Sequence, residues 1–457
     1  MLSDTICALA TAAVESGIGI IRMSGPEVIP LASKFIRSRS GKPLDISETH
    51  RIRYGYVYDG ENPLDEVLVM TMRAPKSYTG EDTVEIDCHG GVLMMQKILE
   101  VCIRNGIRLA EPGEFTKRAF LNGRIDLSEA EAVGDIITSQ NELALKASVS
   151  QLRGAVSDQI KKYRARILED DAYIEAALDD PEHISLDGFY DKLKQDVDEV
   201  KAGVDRLIAT ADDGRLLREG IRTVIVGKPN AGKSSLLNVL VGTDRAIVTD
   251  IAGTTRDTLE EQINLSGVSL SIVDTAGIRN TEDTVEKIGV DRALKAAEEA
   301  NLILYVVDAS VPLDESDDKI IDSIKDKKCI VLMNKSDLKT VISEKEMHDR
   351  TGSPVLSISA RARDGIDALE NLIRSMFYHN EINFNDQVVI TSARHKALLQ
   401  NASAALREVQ KSMEAQMPED FYTIDLMRAY AELGYILGEE VSEDLVNEIF
   451  AKFCMGK

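Results

Sequence analysis

No stretch of the 457-residue chain approaches the roughly 20 consecutive apolar residues that a membrane span requires, so a membrane-embedded protein is not expected. The opening MLSDTICALA lacks the basic start and long apolar core of a secretion signal, which points to the cytoplasm. Cysteine is sparse. The five residues Cys7, Cys88, Cys102, Cys329 and Cys454 are scattered, odd in number and free of CxxC or Cys/His ligand spacing, which argues against both a disulfide framework and a zinc site. Six histidines likewise show no metal spacing, and His89 in DCHGG is assigned no chemistry. Internal repeats and low-complexity tracts are absent as well. Positive charge is in deficit: 54 Lys and Arg stand against 77 Asp and Glu, a formal net charge of −23. Such a surface repels nucleic acid, so any RNA contact must be local or borrowed from a partner.

Apolar residues make up 44% and charged residues 29%, ordinary for a soluble globular protein, and the length suits about three domains. Over residues 1–120 strand and helix signals alternate: GIGIIRM (Gly17–Met23), DEVLVMTM (Asp65–Met72), TVEID (Thr83–Asp87), then a helix-like GVLMMQKILEVCI. These predict an α+β domain. From about Leu127 the spacing becomes helical, with Leu127, Ala130, Val133 and Ile137 on one face and Ser128…Glu131 read as a capping box. Helices are expected across 121–216. Over 217–380 the apolar segments RTVIVG, LSIVDTAG, LILYVVDAS, CIVLMNKSD and VLSISA alternate with helical stretches, the pattern of a doubly wound, mostly parallel sheet. Helical spacing returns over 381–457, where Leu399, Ala402, Leu406, Val409 and Met413 form a seam. The whole reads as a multidomain α/β protein whose discontinuous helical bundle carries an inserted nucleotide-binding domain.

Chemistry is concentrated in that insert. Gly227-Lys-Pro-Asn230-Ala231-Gly232-Lys233-Ser234-Ser235 follows the strand TVIV and precedes a helix, the context a GxxxxGK[ST] phosphate loop demands. Its glycines let backbone N–H groups converge on phosphate, Lys233 balances β/γ charge, and the Ser234 hydroxyl ligates Mg²⁺. Asp274-Thr275-Ala276-Gly277 ends a strand where a carboxylate supports the Mg²⁺ shell and the Gly277 amide meets the γ-phosphate. Thr255, in Gly253-Thr254-Thr255-Arg-Asp, is the candidate second hydroxyl ligand of Mg²⁺. Asn334-Lys335-Ser-Asp337 closes another strand, and Asp337 can accept from both N1–H and the exocyclic amine of guanine. Adenine would leave those acceptors unpaired, so GTP is expected over ATP. Ser359-Ala360 is the expected second base contact.

GKPNAGKSS, DIAGTTRD, DTAGIR and NKSD together resemble the TrmE/Era branch of translation-associated GTPases. GIGIIRMSG, SYTGEDTVEIDCHGG, PGEFTKRAFLNGRIDLSEAEA and the terminal FCMGK extend the likeness, across nearly the whole chain, to the bacterial tRNA wobble-uridine modification GTPases of the MnmE/TrmE family. One departure from Ras-type chemistry stands out. Ile278 follows DTAG, and an aliphatic side chain cannot orient the attacking water as glutamine does. The resemblance implies that K⁺, held by Asn230 and by Thr249, Ile251 and Thr254, takes over part of that work, with Glu286 near the water. It also implies that Thr249, Asp250, Ile251 and Ala252 join Gly253, Thr254 and Thr255 in a loop against the nucleotide.

Further implications concern the remaining domains. The N-terminal domain resembles a folate-binding, dimerising module, with Arg22, Glu85, Arg124 and Lys457 lining a site for a tetrahydrofolate derivative, 5,10-methylene-tetrahydrofolate as one-carbon donor. Relatives often carry lysine at Arg124, and TAAVESGIG is less rich in proline and glycine than the family's usual start. Cys454 has two readings, a thiol serving the modification chemistry or a small side chain packed beside Phe450 and Phe453. The family pattern further implies a homodimer and a MnmG/GidA-type flavoprotein partner, in a heterotetramer, that brings FAD and NADH. Together they would install a carboxymethylaminomethyl or aminomethyl group at C5 of the tRNA wobble uridine. A rival reading is an Era-like GTP-dependent ribosome-assembly switch, although its usual basic C-terminal RNA module has no counterpart in these acidic helices.

Overall fold

Strand alternation in the N-terminal segment produces a sheet with one greasy and one chemical face. The computed structural model describes residues 4–242, 261–265, 268–273, 297–377, 388–454 and 456. Seven strands, β1 (Ile6–Leu9), β2 (Ile18–Ser24), β3 (Ile36–Arg37), β4 (Arg51–Asp59), β5 (Asn62–Met72), β6 (Thr83–His89) and β7 (Arg108–Leu109), lie in the order β3-β4-β5-β6-β2-β1-β7. All neighbours are antiparallel except β1 and β7. Because side chains alternate, Ile21 and Met23 of β2 and Val67 and Val69 of β5 point into the core, and the intervening Arg22 and Leu68 point away from it. Between β2 and β3 comes the short α1 (Val28–Ala32), and α2 (Val92–Arg104) buries Met95, Ile98, Val101 and Cys102 against the greasy face. Gly19 permits this: a Cβ there would lie 2.3 Å from the sulfur of Met95. The chain then forms α3 (Glu114–Leu121).

Four helices follow: α4 (Leu127–Thr138), α5 (Glu142–Leu152), α6 (Ala155–Asp179) and α7 (Phe189–Glu219). The start of α4 differs from the expected capping box. Asp126, not Ser128, is the cap: its Oδ1 accepts from the Glu129 amide at 3.0 Å, and Glu129 Oε2 accepts from the Asp126 amide at 2.9 Å. Helical geometry begins at Leu127, so the reciprocal pair falls two residues earlier, and Ser128 is buried while donating to Asp126 at 2.7 Å. Leu127 and Ala130 are fully buried as the periodicity predicts, but Ile137 is 45% exposed at the helix end.

Asp170 on α6 and Asp196 on α7 are both about 1% exposed. Burial, then the negative charge of Asp196, raises the Asp170 carboxyl from 3.8 to about 7, with Lys192 at 3.4 Å opposing the shift and Arg166 pairing with Asp196. Native Asp170 therefore holds a proton in a window where the unfolded chain has released it. Its contribution is complete below pH 3.8 and is lost as pH rises through about 7. Asp170→Asn, which mimics the protonated acid, is expected to remove that fall. Urea unfolding at pH 5 and pH 8 should show the variant gaining more on the parent at the higher pH, and an equal pH response in both proteins would contradict it.

A second sheet has the order β13-β12-β11-β8-β10-β9 and is formed by β8 (Ile221–Val226), β9 (Glu261–Leu265), β10 (Val268–Ile272), β11 (Leu302–Asp308), β12 (Cys329–Asn334) and β13 (Val355–Ser357). Only β9 runs antiparallel. β11 is apolar throughout and buried on both faces, as a central parallel strand must be. On one face α8 (Lys233–Val241) and α11 (Ile366–Phe377) supply Leu236, Leu240, Leu369 and Ile373; on the other α9 (Glu315–Ile324) and α10 (Glu344–Thr351) supply Ile320, Ile324 and Met347. The sheet is doubly wound. Three helices close the chain, α12 (Ala393–Glu414), α13 (Asp420–Leu437) and α14 (Glu443–Phe450), and all five seam residues of α12 are at most 2% exposed.

The chain divides into two compact units, Met1–Ile137 with Gln151–Lys201 and Asn401–Lys457, and Thr138–Ser150 with Ala202–Gln400. Among the described residues no helix is long and apolar enough to cross a membrane.

Candidate functional site

Parallel strands deliver their C-terminal ends to one edge, and in doubly wound sheets that edge is where ligands bind. β8 runs directly into the loop 227–232. Gly227 has φ 153 and lies so close to β11 that a Cβ would meet the Val306 carbonyl at 2.3 Å. Gly232, φ 102, leads into α8, and a Cβ there would sit 2.0 Å from Asn334 Nδ2. Neither position admits a side chain, and Asn230 also takes left-handed backbone, φ 62. The result is a turn whose backbone amides and helix N-terminus present partial positive charge. Lys233 Nζ donates to the carbonyls of Gly227 at 2.8 Å and Lys228 at 2.7 Å, so the ammonium is held over the same turn. Ser234 and Ser235 follow it in the first turn of α8, and Ala231 is buried.

The base-side residues are locked to this loop. Asn334, 3% exposed at the end of β12, donates from Nδ2 to the Ala231 carbonyl at 2.8 Å and accepts on Oδ1 from the Ala360 amide at 3.0 Å. One side chain thus joins the phosphate loop to the segment after β13. Ser359 Oγ donates to Asp337 Oδ1 at 2.7 Å and fixes the carboxylate's direction. Lys335, φ 65, reaches Asp308 at the end of β11 at 2.5 Å. Burial would raise the Asp308 carboxyl, but hydrogen bonds from Lys335 and Ser310 outweigh it and hold the group below the usual carboxylate range. Asn230, Ala231, Gly232, Lys233, Ser234, Ser235, Asn334, Lys335, Asp337, Ser359 and Ala360 therefore belong to one edge. Thr249, Asp250, Ile251, Ala252, Gly253, Thr254, Thr255, Asp274, Thr275, Ala276, Gly277, Ile278 and Glu286 lie outside the described residues, as does Lys457.

The N-terminal sheet assembles a second cluster. Antiparallel register sets Arg22 opposite Glu85, and Arg22 Nε donates to Glu85 Oε1 at 2.6 Å. Glu85 is 9% exposed. Arg22 Nη1 also donates to the Gly456 carbonyl at 3.0 Å, bringing the chain's last residues to this face. The guanidinium of Arg22 stands 5.4 Å from the Tyr78 ring centre and that of Arg124 5.2 Å, while Arg124 donates to the Tyr78 carbonyl at 2.8 Å. Cys454 is exposed, whereas Phe450 is buried and packs on Phe453 with ring centres 5.2 Å apart; packing of the thiol beside those rings is not what the fold does with it.

A family model described as the MnmE helical domain matches residues 127–454, and one described as the GTP-binding protein TrmE N-terminus matches residues 5–124. The tRNA modification GTPase MnmE of Lachnoclostridium phytofermentans is 55% identical over 458 residues, covering 100% of both chains. That of Clostridioides difficile is 47% identical, again over 100% of each. The chain belongs to the MnmE family. It is a P-loop GTP hydrolase, as the relatives of this family are named and as the phosphate loop and base-side residues require. A solved structure of Aquifex aeolicus Era bound to GDP and AlF4⁻ is 30% identical and covers 40% of this chain and 66% of that one, but its TM-score of 0.27 gives it no weight.

Sequence reasoning missed several residues of these two clusters in the MnmE-family chain. Tyr78 sits inside SYTGED yet drew no attention, because a tyrosine beside glycine reads as an ordinary loop residue. Asp308 and Lys228 also escaped, since nothing local marks the partner of either. For Asp314 the signal existed: Asp-x-x-Asp before an apolar run is a capping box, and Asp314 and Asp317 form one at the start of α9.

Proposed function

We propose that this chain is a K⁺-stimulated GTPase that modifies C5 of the tRNA wobble uridine in the cytoplasm, with a MnmG/GidA-type flavoprotein and methylene-tetrahydrofolate. Likeness to tRNA modification GTPases over the full length supports the reading. The observation that carries the folate part is the Arg22–Glu85 pair beside Tyr78 and Arg124. Glu85 can accept paired pterin N–H groups while the two guanidiniums face an acidic glutamate tail. The domain division we assign is 1–120, 121–216, 217–380 and 381–457, with the first mediating homodimerisation.

In hydrolysis the loop amides and Lys233 hold the β- and γ-phosphates, Asp337 orients guanine, and Ser234 with Thr255 would hold Mg²⁺. Asn230, exposed on left-handed backbone, would hold K⁺ with Thr249, Ile251 and Thr254. Both ions supply positive charge against phosphate where a Ras-type enzyme uses protein groups. Glu286 would orient water, and Cys454 remains a candidate thiol for the modification step. Folate supplies the one-carbon unit; FAD and NADH reach the reaction only through the partner.

GTP turnover measured in K⁺ and in Na⁺ should be clearly faster in K⁺, and equal rates would overturn the cation role. Calorimetric titration with a reduced folate should give binding heat that Glu85→Gln abolishes; no heat from the parent dimer would remove the folate role.

A further inference from the structure

The phosphate loop is fastened at both ends, and the GTP-binding motif accounts for only one of them. Asn334 holds the Ala231 end. At the other end Lys228, a variable position of the motif, extends its ammonium away from the turn to Asp317 Oδ2 at 2.6 Å and Asp314 Oδ2 at 2.9 Å. Asp317 is a rigid acceptor. It is 1% exposed, its Oδ1 accepts from the Tyr305 hydroxyl at 2.9 Å, and its Oδ2 accepts from the Asp314 amide at 3.0 Å. Tyr305 is itself fully buried in β11, next to β8 in the sheet. The chain of contacts runs from the sheet centre through Tyr305 and Asp317 to Lys228. From there the backbone continues it, because the Lys228 carbonyl is one of the two that hold Lys233 Nζ.

We propose that Lys228, anchored by Asp317, is a positioning residue that sets the phosphate loop's affinity for the diphosphate group of guanine nucleotides. The inference concerns the GTP hydrolase itself and is independent of the folate and tRNA readings. A loop amide that drifts loses its aim at phosphate oxygen, and a charge-assisted pair with a buried carboxylate limits that drift. Burial opposes the Lys228 charge, yet hydrogen bonds from the ammonium to Asp317 and Asp314 outweigh it and raise its pKa, so the ammonium keeps its charge. GDP and GTP share the β-phosphate, so the effect is equal for both. Binding that is equal in ground and transition states moves KM and spares kcat.

The test uses the full-length protein and fluorescent GDP and non-hydrolysable GTP analogues with Mg²⁺ present. Lys228→Met keeps the aliphatic stem and removes the charge; Asp317→Asn removes it from the other side. Each should weaken both nucleotides about tenfold and raise the GTP KM to match, with kcat within about twofold. Lys228→Arg should restore affinity to within about threefold, and the double variant should be no weaker than either single one, because the two share one interaction. A lowered melting temperature with affinities within about twofold of the parent would show a purely structural cap of α9 and overturn the proposal. A fall in kcat at unchanged affinity would overturn it too. Should either variant fail to fold, Tyr305→Phe removes only the hydroxyl that steadies Asp317 and should weaken both nucleotides about threefold; unchanged affinity there is equally fatal.

Discussion

Asp337→Asn is expected to lower kcat/KM for GTP by about 10³-fold or more while making xanthosine triphosphate the better substrate. Guanine offers two donors on one edge, N1–H and the C2 amine, and a carboxylate accepts both. Ser359 Oγ donates to Asp337 Oδ1 at 2.7 Å, so the carboxylate's orientation is set before ligand arrives. An asparagine places an amide N–H₂ where one acceptor was, leaving a guanine donor unpaired with a second donor facing it. Xanthine carries a carbonyl at C2 and accepts from that amide. Steady-state hydrolysis of GTP, XTP and ATP by both proteins measures the switch. A variant whose GTP efficiency stays within about tenfold of the parent would remove Asp337 from base recognition.

Lys233→Ala is expected to reduce kcat by at least about 10²-fold, the scale of losing one preorganised group aimed at developing phosphate charge. The ammonium is held by the carbonyls of Gly227 and Lys228 at 2.8 and 2.7 Å, so it stands over the turn rather than sweeping through solvent. Alanine keeps good helix propensity at the first residue of α8. The fold should therefore survive, with an unchanged circular dichroism spectrum, while turnover collapses. Retained turnover would dismantle the assignment of this loop as the hydrolytic site. Lys233→Ala and Lys228→Met differ in kind: the first is expected to cut kcat, the second to weaken binding without touching it.

Legibility in the sequence followed chemical locality. GKPNAGKSS needs its glycines at Gly227 and Gly232 and its lysine at Lys233 within one turn, and the fold confirms why, since a Cβ at either glycine collides with β11 or with Asn334. The apolar run GIGIIRM predicts a strand, and it forms β2, where the pleat sends Ile21 and Met23 into the core and Arg22 to the other face. The α4 cap was misplaced by two residues because both Ser128…Glu131 and Asp126…Glu129 satisfy the pattern, and only the helix's packing register chooses between them. For Cys454 the sequence admits both chemistry and packing, and the fold leaves the residue exposed.

By itself the sequence determined the order of elements, the doubly wound character of the insert and the candidate residues for phosphate and guanine, because each of those is written in neighbours or in a short period. Tertiary structure alone decided which distant groups meet. Lys228 finds Asp314 across 86 residues, and Arg22 finds the Gly456 carbonyl across 434. Sheet order brings β8 beside β11, and the N-terminal sheet receives the chain's last residues; no local pattern encodes either meeting. A contact of that kind is stabilised by the whole core that holds its two elements together, so its signal is spread over many residues and concentrated in none.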